Sequence, residues 1–240
     1  MSRLEIICHI LQSLDGNIDG DFFAMSELRP AFQAFARIRD EYACDAVISG
    51  ATTAAEIYAG DTFGGLPEMT ETYDRSDWQA AKADKYAVII DGQGTVYWQS
   101  GTVERRGSKM HVVTVLQENI SDSYIAHLHQ AGVSYVFAGT DSLDLPLAVR
   151  KLKEQFGIKK MLLSGGGIVD WAFLQAGLID EISLVIPPVI DGGTGLASAF
   201  DDSPFSVGHN AAPLALKDVQ RLNENCLWLR YIPVRKSMTK

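Results

Sequence analysis

The chain has 240 residues, 47% of them apolar and 21% charged, which is the make-up of an ordinary globule long enough for a sizeable core. Its formal net charge of −9 counts against a nucleic acid or an anionic membrane surface as partner, and leaves room only for a local basic pocket. Cys8, Cys44 and Cys226 are odd in number and far apart, so neither a disulfide framework nor a zinc knuckle is indicated. No apolar run approaches membrane-spanning length, and the first residues lack the apolar core and cleavage site of a signal peptide. The chain reads as cytoplasmic.

Residues 4–12, LEIICHILQ, form a β-branched-rich run that ends in the turn chemistry of Ser13-Leu14-Asp15-Gly16. Pro30 to Tyr42 places Phe32, Phe35, Ala36 and Ile38 between charges, which predicts an amphipathic helix with proline near its start. Ala46-Val47-Ile48 reads as a short buried strand, and Gly50-Ala51-Thr52-Thr53 opens a helix through Tyr58. Residues 60–80 are polar and aperiodic, a surface loop. Tyr86–Ile90 and Thr95–Trp98 flank Asp91-Gly92-Gln93-Gly94 and predict a hairpin.

His111–Leu116 is a further strand; Ser121 caps a helix to Ala131 that ends at Gly132, and Val133–Ala138 is strand-like. Asp144 with Pro146 starts a helix whose Leu145, Val149, Leu152 and Phe156 share a face, closed by Gly157. Ile158–Leu163 predicts a strand, Ile168–Ala176 a helix closed by Gly177, and Ile182–Ile190 a strand interrupted by Pro187-Pro188. Leu214–Leu222 and Cys226–Val234 make a closing antiparallel pair. Strands alternate with helices and then pair directly, so we expect a single α/β domain over residues 1–240 with a mixed sheet.

Gly165-Gly166-Gly167 stands between a strand and a helix. There the bare backbone N–H groups and the positive end of the helix dipole favour an anion, and missing Cβ atoms let a phosphate approach. A tight turn without a ligand would use the same glycines, and the residues alone leave both readings open. Gly50-Ala51-Thr52-Thr53 repeats the geometry, with Thr52 or Thr53 as an N-cap in the plainer reading. Thr114, in VVTVL, could meet a ribose or phosphate, or be an ordinary strand threonine. The five histidines do not cluster, and His127 and His129 point in different directions, so no metal site is expected.

The run LSGGGIVDWAFLQAGLIDEISLVIPPVIDGG closely resembles the C-terminal signature of the riboflavin-pathway reductase domain, within the dihydrofolate-reductase-like superfamily. HILQSLDGNIDG is similar to that family's opening strand and loop, Gly50-Ala51-Thr52-Thr53 sits where the superfamily has a Gly-x-x-Thr phosphate contact, and LDLPLAVRKLKEQFGIKKMLL matches the lead into the glycines. The resemblance implies a dihydrofolate-reductase-like three-layer α/β fold with a mixed, mostly parallel central sheet and a C-terminal antiparallel hairpin. It also implies NADPH as hydride donor, with NADH not excluded, a small-molecule substrate, a homodimer, and an activity like 5-amino-6-(5-phosphoribosylamino)uracil reduction. One Gly-Gly peptide, Gly165–Gly166, would be cis, at a cost of about 3 kcal/mol.

By the same resemblance the cofactor would be held by Gly16, Ile18, Gly50, Ala51, Thr52, Thr53, Thr114, Ser164, Gly165, Gly166, Gly167 and Ile168. Substrate would be met by Ser13, Asp15 and Glu181, with Asp15 the candidate proton donor; a turn-forming aspartate and a structural ion pair are the plainer roles for Asp15 and Glu181. Three departures stand out. Ser164 replaces the family's glutamate, Ala51 replaces the arginine that reads a 2′-phosphate in dihydrofolate reductases, and Gln33-Ala34-Phe35 lies where folate reduction uses a carboxylate. A pterin or folate reductase, and a cofactor-binding sensor without turnover, are the alternatives. Arg75 is the one cation between Ala59 and Trp78, the segment expected to meet a substrate phosphate.

Overall fold

The computed structural model describes residues 3–59, 72–202, 210–223 and 225–234. In chain order the strands and helices are β1 (Glu5–Leu11), α1 (Arg29–Glu41), β2 (Ala46–Gly50), α2 (Ala51–Ala54), β3 (Tyr86–Ile90), β4 (Thr102–Arg105), β5 (Ser108–Leu116), α3 (Asp122–Ala131), β6 (Ser134–Phe137), α4 (Leu145–Phe156), β7 (Lys160–Leu163), α5 (Gly167–Gln175), β8 (Glu181–Ile186), β9 (Leu214–Leu222) and β10 (Cys226–Pro233). The fold is mixed α/β with parallel and antiparallel strand pairs, as expected. It comprises two compact units, Met1–Leu4 with Cys44–Met161 and Glu5–Ala43 with Leu162–Lys240. The loop expected over residues 60–80 lies outside the described residues up to position 71.

In the first unit β3 pairs in parallel with β2 on one side and β5 on the other, while β5 takes β4 antiparallel and β6 parallel. Val88, Val112 and Val113 are fully enclosed, as strands buried on both faces require. Ile89, Leu116, Ile125, Leu128 and Phe137 form one core cluster. The helix ends follow the local chemistry. Ser121 Oγ accepts from Tyr124 N–H at 3.2 Å and Asp144 Oδ1 from Leu147 N–H at 2.8 Å, and left-handed Gly132 and Gly157 close α3 and α4.

The predicted 86–98 hairpin does not form. Both hydrogen-bonding edges of β3 are already taken by β2 and β5, so residues 95–98 have no edge to join. Instead Asp91 turns inward and its carboxylate accepts from Thr95 N–H at 2.8 Å, Val96 N–H at 3.0 Å and Tyr124 O–H at 3.1 Å. The hairpin that does form joins β4 to β5 through Arg106 and Gly107, both at positive φ.

In the second unit β8 pairs in parallel with β1 and antiparallel with β10, and β10 pairs with β9. One face carries Leu11, Val185 and Trp228, on which α1 lays Ala31, Ala34 and Ile38. Residue alternation puts Ile182, Leu184, Ile186, Leu227, Leu229, Tyr231, Val219 and Leu216 on the other face. Towards β9 that face is open: Leu216 is 58% exposed and Val219 52%.

Candidate active site

The corner between β7 and α5 belongs to the second unit. Gly166 caps α5 without any side-chain hydrogen bond, and its carbonyl accepts from Val169 N–H at 2.9 Å and Asp170 N–H at 3.1 Å. The expected cis peptide is absent: no peptide is cis among the described residues. The backbone makes its turn through positive φ at Gly165 (125°) and Gly166 (60°), a conformation that only glycine adopts without strain, so no rotation about the peptide bond is needed.

The glycines differ in what surrounds them. A Cβ at Gly165 would meet nothing within 4 Å, so that face of the corner is open. A Cβ at Gly167 would collide with the Ser198 carbonyl oxygen and the Asp201 carboxylate, so this glycine admits the passing chain of residues 198–201. Ser164 and Gly165 are half-buried and Ile168 is half exposed, at 50%. An open, dipole-bearing helix start with bare backbone is what an anionic nucleotide needs, and the corner fits one.

Beneath the corner lies an acid that the sequence motifs did not single out. Asp170, in the first turn of α5, is fully buried, and neither carboxyl oxygen has a hydrogen-bond partner of good geometry among the described residues. The polar groups acting on it are the Cys8 thiol of β1 and the Gly165 N–H. Burial raises its pKa to about 8, against which those two neighbours pull weakly the other way. Burial and the same acid push the Cys8 thiol well up, so it stays protonated.

The opening loop is pinned rather than free. Leu14 N–H donates to Val189 O at 2.8 Å and Ile18 N–H to Ala197 O at 2.9 Å. Gly16, at φ 92°, forms the apex of a turn in which Gly16 N–H reaches Ser13 O at 3.0 Å. Ser13 is fully buried and its hydroxyl accepts from Asn17 N–H at 3.0 Å, which removes it from the substrate contacts expected of it. Asp15 accepts from Asp191 N–H at 3.1 Å and Gly192 N–H at 2.8 Å. The Ser13 hydroxyl, then those two N–H groups, draw its pKa down to about 2. In this structure the Asp15 carboxylate holds the loop to residues 191–192.

Glu181 is likewise committed. Tyr42 O–H donates to its Oε1 at 2.6 Å and Lys217 forms an ion pair with its Oε2, so both oxygens are used inside the fold and the plainer structural role holds. Alongside, His9 Nε2–H donates to Phe35 O at 3.0 Å, and Ser183 Oγ lies 2.9 Å from His9 Nδ1 and 2.8 Å from Trp228 Nε1. That chain of bonds suits a neutral imidazole, and burial lowers the His9 pKa to about 4.

In the first unit, Gly50 is the N-cap of α2 and no side chain caps it, so neither Thr52 nor Thr53 spends its hydroxyl there. Thr52 is exposed, whereas Ala51 and Thr53 are half-buried. Thr114 is fully enclosed in β5 and its hydroxyl finds no partner among the described residues. Arg75 is spent on Asp122 (2.7 Å) and Ile120 O (2.8 Å). His127 Nε2 accepts from Trp98 N–H at 3.1 Å and His129 stacks on Trp78, and no metal-binding cluster occurs among the described residues.

A family model described as RibD C-terminal domain matches residues 5–227, and so takes in both corners. The chain belongs to the RibD C-terminal domain family. Two curated relatives are both named 2,5-diamino-6-ribosylamino-4(3H)-pyrimidinone 5′-phosphate reductase. The protein of Methanothermobacter thermautotrophicus is 33% identical over 92 residues, 38% of this chain and 42% of that protein. That of Aquifex aeolicus is 27% identical over 90 residues, 38% of this chain and 40% of that protein. The match thus spans about two fifths of the length of each relative. A pyrimidine reductase-like protein from Corynebacterium diphtheriae superposes with a TM-score of 0.66 at 18% identity, over 97% of this chain and 93% of that one, which establishes the shared fold.

What the family motifs missed are Asp170 and the segment 189–201 that clamps the opening loop. An acid in the first turn of a helix is readable from IVDWAF, but its inward direction is not, because the helix is apolar nearly all round.

Proposed function

We propose that this chain is a nicotinamide-dependent reductase of a ribosylamino-pyrimidine 5′-phosphate in riboflavin formation, with NADPH as the preferred donor and NADH as the alternative. The observation that carries the reading is the family match across residues 5–227, supported by the open face at Gly165. On this reading the N–H groups at Gly166, Gly167 and Ile168 take cofactor phosphate, Ser164 and Gly165 border it, and Gly16 and Ile18 of the pinned loop present a fixed wall to the nicotinamide. In the first unit, Gly50, Ala51, Thr52 and Thr53 keep their own reading as a phosphate contact, with a backbone and hydroxyls that capping does not occupy. The bound cofactor supplies the hydride. The protein's part is to orient both reactants, and with Asp15 ionised and Glu181 paired, the accompanying proton comes from solvent.

We further propose that residues 1–240 act as a single reductase domain, because one family model runs through residues of both units, and that the protein works as a cytoplasmic homodimer. The buried thiols of Cys8 and Cys226, which form no disulfide among the described residues, suit that compartment, and the open apolar face of β9 and β10 suits that assembly.

The test has two stages. Titration of NADPH and NADH against tryptophan fluorescence should saturate, with NADPH the tighter; no binding of either at about 1 mM rejects the reading. Loss of nicotinamide absorbance should then follow addition of 2,5-diamino-6-ribosylamino-4(3H)-pyrimidinone 5′-phosphate or of 5-amino-6-(5-phosphoribosylamino)uracil. Saturable cofactor binding with neither pyrimidine reduced would leave the sensor reading in its place.

A further inference from the structure

Asp170 has no role in the function just proposed, yet it lies where that function is most sensitive. It sits one turn inside the helix whose start is offered to an anion, and it is fully buried. The Gly165 N–H and the Cys8 thiol are the polar groups that act on it, and its oxygens lack a partner of good geometry among the described residues. An ionised carboxylate there would place an unscreened negative charge close beneath the anion seat and oppose the helix dipole's attraction for phosphate. A neutral carboxyl group removes that repulsion. The Gly165 N–H beside it belongs to the residue held at φ 125°.

We propose that Asp170 is a positioning residue that must carry a proton for the Gly165–Gly167 corner to hold an anionic nucleotide, so that cofactor capture is coupled to one buried proton. The inference rests on the cofactor reading above and deepens it. It follows by linkage, since a phosphate seated above the acid makes ionisation harder still and binding therefore draws in a proton wherever the free protein has begun to lose it. The acid of the free protein titrates near pH 8, with burial as the main cause, so the window lies on the alkaline side of neutrality. Two other titratable side chains face this spot. The Cys8 thiol of β1 stays protonated, and the Asp201 carboxylate, on the segment against Gly167, accepts from Ser198 N–H at 2.9 Å and from the Ser198 hydroxyl. The diphosphate bridge of either cofactor is ionised throughout this window, and so is the 2′-phosphate monoester of NADPH, whose second pKa is about 6.

Calorimetric titration of NADPH and NADH into the wild-type protein and Asp170→Asn, from about pH 6.5 to about pH 9.5, tests this. Above pH 8 the wild-type affinity should fall by up to about tenfold per pH unit, while Asp170→Asn binds evenly throughout. In two buffers of different ionisation enthalpy, the wild-type protein should take up a fraction of a proton at about pH 8.5, and this measurement needs no variant. A flat wild-type profile, no proton uptake, or an Asp170→Asn profile that parallels the wild type would overturn the inference while leaving cofactor binding intact. No binding by either protein at neutral pH would overturn the cofactor reading itself, and this inference with it.

Discussion

At the residue scale, the same acid makes a prediction about folding that needs no cofactor. Asp170 has an unfolded pKa near 3.8 and a folded value near 8, so between these limits the native state holds a proton that the unfolded chain has lost. Stability therefore falls as pH rises through that window and levels off above it, the reverse of a paired carboxylate. That difference sets an upper bound of about 6 kcal/mol, and on the order of 3 kcal/mol is expected. Urea unfolding of Asp170→Asn at about pH 4, 6, 8 and 9.5 should show the variant gaining on the wild type by that amount up to about pH 8 and then holding level. A constant difference across the range would mean that the acid is not buried as described. The two outer glycines of the triplet make a companion test. Gly165→Ala should cost about 1–3 kcal/mol through backbone strain alone, because its Cβ meets nothing. Gly167→Ala should cost more, because its Cβ must displace the Ser198 carbonyl. Equal melting temperatures for the two variants would contradict that division of roles.

At the scale of elements, the turn after β3 is the part whose sequence reads one way and folds another. Val96 and Trp98 are buried in alternation, which is the signature of a strand, yet no strand edge is free to receive them. Asp91 does the work a hairpin ladder would have done. Asp91→Ala should thus cost roughly 3 kcal/mol or more by orphaning the Thr95 and Val96 N–H groups and the buried Tyr124 hydroxyl. Asp91→Asn should recover part of that loss, and an Asp91→Ala protein as stable as wild type by chemical denaturation would refute the assignment. The same case shows what is legible from sequence. Helices α3 and α4 were readable because period, cap and stop are all local signals, and α1 because its period and its early proline are. Strand partners are set by distant segments, so β4 was missed for want of apolar alternation. The glycine corner was legible as geometry, a strand running into bare backbone before a helix, since that too is a local pattern. The commitments of Ser13, Asp15 and Glu181 were not, because their partners are residues 191–192, Tyr42 and Lys217 or, for Ser13, a turn whose hydroxyl could as well have faced outward.

At the scale of the molecule, the open face of β9 and β10 is the feature a lone chain explains least. Leu216, Val219 and Leu227 are exposed beside half-buried Leu229 and Tyr231, with Arg221 next to Leu227, on the face opposite α1, and β9 is the last strand of its unit. Contiguous apolar surface of this kind marks an interface, and an uncovered outer strand invites pairing with another chain. A second copy is the occupant that the proposed homodimer supplies. An apolar seam between two chains of net charge −9 has to overcome their mutual repulsion, so association should tighten, not weaken, as salt screens the charge. Sedimentation equilibrium should therefore give about twice the chain mass at micromolar concentration, in low and high salt alike. Leu216→Asp with Val219→Asp should shift the protein to monomer while circular dichroism stays native, because neither side chain supports the core of its own chain. A wild-type protein that remains monomeric at tens of micromolar would remove the homodimer and leave this face to a different partner.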